Sequence, residues 1–194
     1  MELVINRNLI FAQNQRLETE RLILRPVTLD DAIEMYEYAS DEETVTYVFP
    51  IHQSLKDTKK SIANYFVCAP LGKYGIALKE TGRFIGTIDL RVEEKHNNGE
   101  IGYTLNKKFW GKGYVPEAAN ELLRLGFEEL KLIRICAVHD IDNPKSGRVM
   151  EKIGMKIEGT VPNARMWKGK VVTDVLRGIM VEEWQQLQEK IKNK

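Results

Sequence analysis

The chain has 194 residues, enough for one domain with a sizeable core, and its 43% hydrophobic and 29% charged residues are ordinary for a globular protein. Its 29 basic and 28 acidic residues leave a net charge of +1, without the basic excess of a nucleic-acid footprint, and no apolar stretch approaches membrane-spanning length. Cys68 and Cys136 lie far apart without metal or redox spacing, and His52, His96 and His139 form no ligand pattern, so no metal and a reduced, cytoplasmic chain are expected.

Residues 1–16 carry no clear period and read as an N-terminal extension ahead of a single domain over 17–194. Acidic Glu2 and the lack of a long apolar run set this stretch apart from a signal peptide, and Leu9-Ile10-Phe11 offers an apolar patch for a homodimer. Arg21 to Val27 alternates as a strand does, and Thr28-Leu29-Asp30-Asp31 resembles a capping box that opens a helix to about Ser40. A second helix is expected over Asp57 to Phe66, then strands over Tyr74 to Lys79 and Phe84 to Glu93, with a turn at Thr81-Gly82. After the polar loop Lys95 to Asn98 comes a strand at Glu100 to Leu105.

The segment Lys107-Lys108-Phe109-Trp110-Gly111-Lys112-Gly113-Tyr114-Val115-Pro116-Glu117 follows, and then a helix-periodic run, Ala118 to Glu129. Strand, glycine-punctuated turn and helix is a way to expose several backbone N–H groups to an anion. Gly111 and Gly113 can take positive φ. The helix adds unpaired N–H groups and the positive end of its dipole, a combination suited to phosphate or pyrophosphate. Pro116 fits a first helical turn, where a missing N–H costs nothing. Tyr114 after Gly113 rules out a Walker A loop, and Pro116 stands where the dinucleotide fingerprint needs its third glycine. By itself a Gly-x-Gly also occurs in plain loops.

Leu132 to His139 reads as a buried strand, and Asn143-Pro144 opens a helix that ends at Gly154. Cys136 lies in the apolar strand and reads as core rather than nucleophile. Ile157 to Pro162 and Val171 to Val181 form a last antiparallel pair, and Glu182 to Lys192 a charged amphipathic helix. A meander followed by a crossover helix implies an α/β (α+β) fold, with a mixed sheet and helices on both faces.

Lys108-Phe109-Trp110-Gly111-Lys112-Gly113 resembles the Gln/Arg-x-x-Gly-x-Gly/Ala signature of the GNAT superfamily of acyl-CoA-dependent N-acyltransferases, with Lys in the first place. Asn143-Pro144-Lys145-Ser146 and Glu151-Lys152-Ile153-Gly154-Met155 lie at that family's spacing. Leu17-Glu18-Thr19-Glu20-Arg21-Leu22-Ile23-Leu24-Arg25, Glu158-Gly159 and the hairpin Trp167-Lys168-Gly169 with Asp174 resemble the Rim-type branch, the ribosomal-protein N-terminal acetyltransferases. The resemblance spans roughly Leu17 to Trp184. It implies a mostly antiparallel sheet of about seven strands, splayed between the fourth (Glu100 to Leu105) and the fifth (Leu132 to His139).

The same resemblance implies a site. A bulge near Tyr103-Thr104 would help the sheet splay. Main-chain groups of Tyr103 and Leu105 would then bond the pantetheine arm of acetyl-CoA, with the Leu105 N–H polarising the thioester carbonyl. Lys108, Trp110, Gly111, Lys112, Gly113 and Tyr114 would hold the pyrophosphate. Asn143 would bond the pantetheine besides capping its helix, and Arg148 would lie near the phosphates. Glu100 is the first candidate for general base, with Asp89 and Glu158 behind it. Ser146 would protonate the leaving thiolate, since Met150 stands where many relatives carry Tyr. Arg165, where some Rim-type enzymes carry an acid, suits an acidic or anionic acceptor, and Trp167 would stack on substrate or pack. The expected acceptor is a small amine or a protein N-terminus. A non-catalytic CoA-binding sensor or interaction module, and a nucleotide-binding protein using the same turn, are the alternative readings.

Overall fold

The structure, a computed structural model, describes residues 5–193; residues 1–4 of the expected extension lie outside the described residues. Among the described residues eight strands form one sheet, in the spatial order β1 (Leu17–Glu18), β2 (Leu22–Arg25), β3 (Lys73–Leu78), β4 (Phe84–Glu93), β5 (Asn98–Leu105), β6 (Arg134–Asp140), β8 (Lys170–Met180), β7 (Lys156–Trp167). The chain forms two compact units: Met1–Asp89 with Tyr103–Glu121, and Leu90–Gly102 with Leu122–Lys194.

The first unit opens with a helix, α1 (Arg7–Gln13), where the sequence carries no clear period. Asn6 caps it by accepting from the Leu9 N–H at 3.0 Å. Phe11 is buried while Leu9 stays exposed, so Leu9-Ile10-Phe11 is not a continuous outward patch. A helix turns neighbours through about 100°, and these three cannot share one face. Two residues, β1 (Leu17–Glu18), then pair antiparallel with β2 (Leu22–Arg25) and account for the eighth strand.

Asp31 completes the expected capping box: its carboxylate accepts the Thr28 N–H at 2.8 Å and the Arg25 guanidinium at 2.7 and 2.9 Å. A 3-10 turn there leads into α2 (Ala32–Ala39), and the four-residue α3 (Glu42–Val45) follows. Next come α4 (Leu55–Ser61), continued as a π-helix over Ile62–Val67, then β3 (Lys73–Leu78) and β4 (Phe84–Glu93). β2 pairs with β3, and β3 with β4, both antiparallel. Val27, Ala32, Met35, Tyr38, Ala39, Ile62, Phe66 and Phe84 make one apolar core under α2 and α4.

β5 (Asn98–Leu105) ends in this unit, and α5 (Tyr114–Arg124) begins in it. That helix starts at Tyr114, four residues ahead of the expected Ala118, which puts Pro116 inside its first turn. A proline there forfeits no hydrogen bond and presets φ.

In the second unit β5 and β6 (Arg134–Asp140) run parallel. Their ladder holds three pairs, from Asn98↔Arg134 to Glu100↔Cys136, whereas β6 pairs along its full length, Arg134 to Asp140, with β8 (Lys170–Met180). Gly99 and Gly126 close in on Leu90, Leu132 and Ile135. α6 (Pro144–Lys152) follows β6, as expected. β7 (Lys156–Trp167) and β8 make a longer hairpin than the sequence indicates. The register shifts between Val161 and Arg165, so β7 passes Pro162 at an irregularity and resumes. Last, α7 (Val181–Lys192) buries Trp184 against Phe127, with ring centroids 5.4 Å apart.

Candidate active site

In the first unit, the loop between β5 and α5 is built from residues on both its sides. Asn106 is buried and works in two directions: its carbonyl oxygen accepts the Lys108 N–H at 3.0 Å, and its amide donates to Glu37 at 3.0 Å. The Trp110 indole N–H folds back onto the Leu105 carbonyl at 2.7 Å. That occupies one of the Leu105 main-chain groups expected to stay unpaired. The loop then turns through Gly111 at φ 78° and Gly113 at φ 80°, a region that costs other residues about 1–2 kcal/mol. A Cβ on Gly111 would meet no heavy atom within 4 Å, so the backbone there is open on its outer side.

Two acidic side chains tie this loop down. Glu37, on α2, takes the Lys108 ammonium at 2.6 Å and the Arg83 guanidinium at 2.8 Å. The Lys108 hydrogen bond, aided by Arg83 against the cost of burial, keeps the Glu37 carboxyl below the usual range. Lys108, expected at the cofactor, therefore has its charge turned towards α2. Lys107 turns to Asp41, the N-cap of α3. Lys112 alone of the three lies beside the loop, its ammonium 5.4 Å from the centre of the Phe109 ring.

Glu117, in the first turn of α5, is the other anchor. It accepts from the Thr19 hydroxyl at 2.6 Å, from the Arg21 N–H at 2.8 Å and from the Arg21 guanidinium at 2.6 Å. Arg21 also donates to the Lys112 carbonyl at 3.0 Å and lies 4.6 Å over the Tyr114 ring. The sequence reading gave Thr19, Arg21, Glu37, Asn106 and Glu117 no part here. One signal was available for Glu117: an acid in the first turn of an anion-binding helix calls for a cation beside it.

The second unit carries the other expected residues. Glu100 sits opposite Cys136 in the ladder, and its carboxylate accepts from Arg91 at 2.7 Å, both side chains nearly half exposed. Glu158 is held by Arg134 through both carboxylate oxygens. Burial, reinforced by the Glu100 and Glu158 carboxylates and only partly offset by Arg134, pushes the Cys136 thiol up, so it is a poor nucleophile. Asn143 caps α6 by accepting the Ser146 N–H at 3.2 Å; Ser146 is half-buried, Arg148 exposed and Met150 buried. Helix α6 lies so close to β6 that a Cβ on Gly147 would come within 2.9 Å of the His139 ring.

At the hairpin end, Arg165 donates through Nε to both Asp174 oxygens, at 3.2 and 3.1 Å, and covers Trp167 at 5.3 Å. Its charge is compensated, which changes the expectation of a free cation awaiting an anionic acceptor. Asp89, in the first unit, is buried and accepts from the Tyr65 hydroxyl at 3.1 Å. Among the described residues no three His, Cys, Asp or Glu side chains converge as metal ligands, and no helix is long and apolar enough to cross a membrane.

The family model described as "Acetyltransferase (GNAT) domain" matches residues 21–156. An uncharacterized N-acetyltransferase of Bacillus subtilis (strain 168), YnaD, is 31% identical over 172 residues, which cover 87% of this chain and 98% of the relative. The ribosomal-protein-serine acetyltransferase of Escherichia coli (strain K12) is 30% identical over 115 residues, 58% of this chain and 64% of the relative. The crystal structure of a GNAT-family acetyltransferase from Bacillus anthracis superposes with a TM-score of 0.79 at 29% identity, covering 86% of this chain and 99% of that one.

Proposed function

Because this chain belongs to the GNAT acetyltransferase domain family and is an N-acetyltransferase, we propose that it passes the acetyl group of acetyl-CoA directly to the α-amino group of a protein or peptide N-terminus. Acetyl-CoA is the donor the family uses, and it supplies an activated acetyl thioester on an arm that ends in a diphosphate and a nucleotide. One observation carries the reading: the loop before α5 takes positive φ at Gly111 and Gly113, and Gly111 is exposed, with no heavy atom beyond its chain neighbours within 4 Å of where a Cβ would stand. These residues fit a diphosphate. Backbone N–H groups of Gly111 to Tyr114 hold it, with Lys112 adding charge, while the Trp110 N–H is spent on the Lys107 carbonyl.

Main-chain groups of Tyr103 and the Leu105 N–H would bond the arm, and the Leu105 N–H would answer the negative charge that develops on the thioester oxygen during transfer. In the second unit, the family resemblance would give Asn143 and Arg148 a part in binding the donor and the Ser146 hydroxyl the protonation of the departing sulfur. Glu100 draws the proton from the acceptor ammonium, through water where it does not reach the nitrogen.

An N-terminal amine is favoured over a lysine side chain because more of it is already neutral and able to attack. An α-amino group, with an ordinary pKa of about 8, is partly neutral at pH 7.4, whereas a lysine amine, at about 10.4, is almost wholly protonated. The similarity to a ribosomal-protein-serine acetyltransferase points to the same class of acceptor. Arg91 facing Glu100 supports a second reading, a module that binds CoA without transferring its acetyl group.

The test is release of free thiol from acetyl-CoA in the presence of peptides with free or blocked N-termini and of small amines. Release only with free N-termini supports the proposal. Release only with small amines moves the acceptor to that class. CoA uptake without release from any acceptor favours the second reading.

A further inference from the structure

The peptide between Lys112 and Gly113 lies in a stretch whose glycines leave it able to turn over. Gly111 and Gly113 flank Lys112 at φ 78° and 80°, and glycine visits such regions about as readily as their mirror images. A peptide group is planar and trans, so its C=O and N–H point in opposite directions. Whatever holds the Lys112 carbonyl thus aims the Gly113 N–H the other way. That carbonyl accepts from Arg21 Nη1 at 3.0 Å.

Arg21 is itself held. Its Nε and Nη2 both lie 2.6 Å from Glu117 Oε2, its own N–H donates to Glu117 Oε1 at 2.8 Å, and its guanidinium rests on the Tyr114 ring. Thr19 closes the set with a 2.6 Å bond to the same Oε1. The two ends of this link, Arg21 and Glu117, are 96 residues apart in sequence.

The carboxylate matters because of where it stands. In the first turn of α5 it competes with any bound anion for the positive end of the helix. Burial acts against its charge, but the bonds from Thr19 and Arg21 outweigh that and keep the carboxyl below the usual range. It is therefore an anion whose charge is answered on the strand side of the loop.

We infer that Arg21 is a positioning residue for the donor: it locks the Lys112–Gly113 peptide with its N–H turned towards the diphosphate and draws Glu117 away from that anion. This rests on the acetyl-CoA reading above. Arg21 acts through the loop, so its influence belongs to the diphosphate end of the donor and not to the thioester end.

Two donors separate these ends: acetyl-CoA and acetyl-pantetheine, which carries the thioester and arm without the diphosphate. Wild type, Arg21→Ala and Arg21→Lys are compared in kcat/KM for each donor and in CoA affinity by calorimetry. Arg21→Ala should weaken CoA binding and raise the KM for acetyl-CoA about tenfold, on the order of one charge-assisted hydrogen bond, with kcat changed less than twofold. Its preference for acetyl-CoA over acetyl-pantetheine should fall by the same factor, and Arg21→Lys, with one donor group instead of a fork, should recover part of it. Equal loss on both donors, or unchanged CoA affinity, overturns the inference. Should Arg21→Ala not fold, Arg21→Lys alone carries the test, and an unaltered donor preference there overturns it as well. A wild type that takes up no CoA removes the acetyl-CoA reading itself, whereas a wild type that binds CoA beside an indifferent Arg21→Ala removes only the role of Arg21.

Discussion

Glu100 and Arg91 face each other across 2.7 Å with nearly half of each side chain in solvent. A pair this exposed contributes about 1 kcal/mol at most, so fold stability does not depend on it, and what Glu100 does must be read from chemistry. Glu100→Gln preserves shape and removes the proton acceptor. It should lower kcat on the order of a hundredfold, the low end for a general base, with the Kd for CoA unchanged by calorimetry. Wild-type turnover in this variant would take Glu100 out of the reaction and pass the role to Asp89 or bulk water.

The glycine turn makes a separable prediction. Gly111→Ala meets no steric block, because nothing lies within 4 Å of the new methyl, but φ is 78°. The substitution should destabilise the fold by about 1 kcal/mol through backbone strain. CoA affinity should fall further than stability does, because the relaxed loop loses the alignment of its N–H groups. Parallel melting and calorimetry decide it: a melting shift with unchanged CoA affinity would mean that the turn is only structural.

Acid should unfold the protein partly through the carboxylates that tie this loop down. Glu37 and Glu117 both sit below the ordinary value of 4.5 in the folded state. The unfolded chain therefore binds more protons near that pH, and stability rises with pH there. Their contribution is complete above about pH 5.5 and disappears as pH falls through 4.5 and below the folded values. In Glu117→Gln the melting temperature should fall less between pH 6 and pH 3.5 than in the wild type. An identical slope in the two proteins would show that Glu117 titrates alike in the folded and unfolded states.

How much of this was legible beforehand follows from where each constraint lies along the chain. Phe84 to Glu93 and Asn143 to Gly154 were readable because their signals are local: alternation in one, and a cap, a proline and a terminal glycine in the other. The glycine turn was readable for the same reason. α1 was not, because of its two buried residues, four apart on one face, Arg7 is charged and leaves Phe11 as a lone apolar signal, and a two-residue strand such as β1 has no period to detect. The supports of the turn lie further out of reach. Glu37 lies 71 residues from Lys108, and nothing local marks one as the partner of the other. Lys108 thus reads from the sequence as a ligand for the diphosphate although its charge is spent on α2. Arg165 reads as a free cation for the same reason, since its partner Asp174 lies across the hairpin.

That last pair allows acceptor choice to be altered without touching the donor loop. Arg165 donates to both oxygens of Asp174, whose side chain is mostly buried, and its guanidinium covers Trp167. Asp174→Asn keeps the size of the side chain and a hydrogen-bond acceptor but removes the compensating charge. The guanidinium then carries an unanswered positive charge at the hairpin end, which favours anionic groups and repels cations. If this end faces the acceptor, peptides with Asp or Glu next to the free N-terminus should gain over neutral ones by about fivefold in kcat/KM, the worth of about 1 kcal/mol in a partly exposed pair. Peptides with Lys there should lose by a similar factor, and 0.5 M salt should shrink both effects. The same ratios in wild type and variant, with CoA affinity intact in both, would place Arg165 and Trp167 outside the acceptor path and leave Asp174 a purely structural partner.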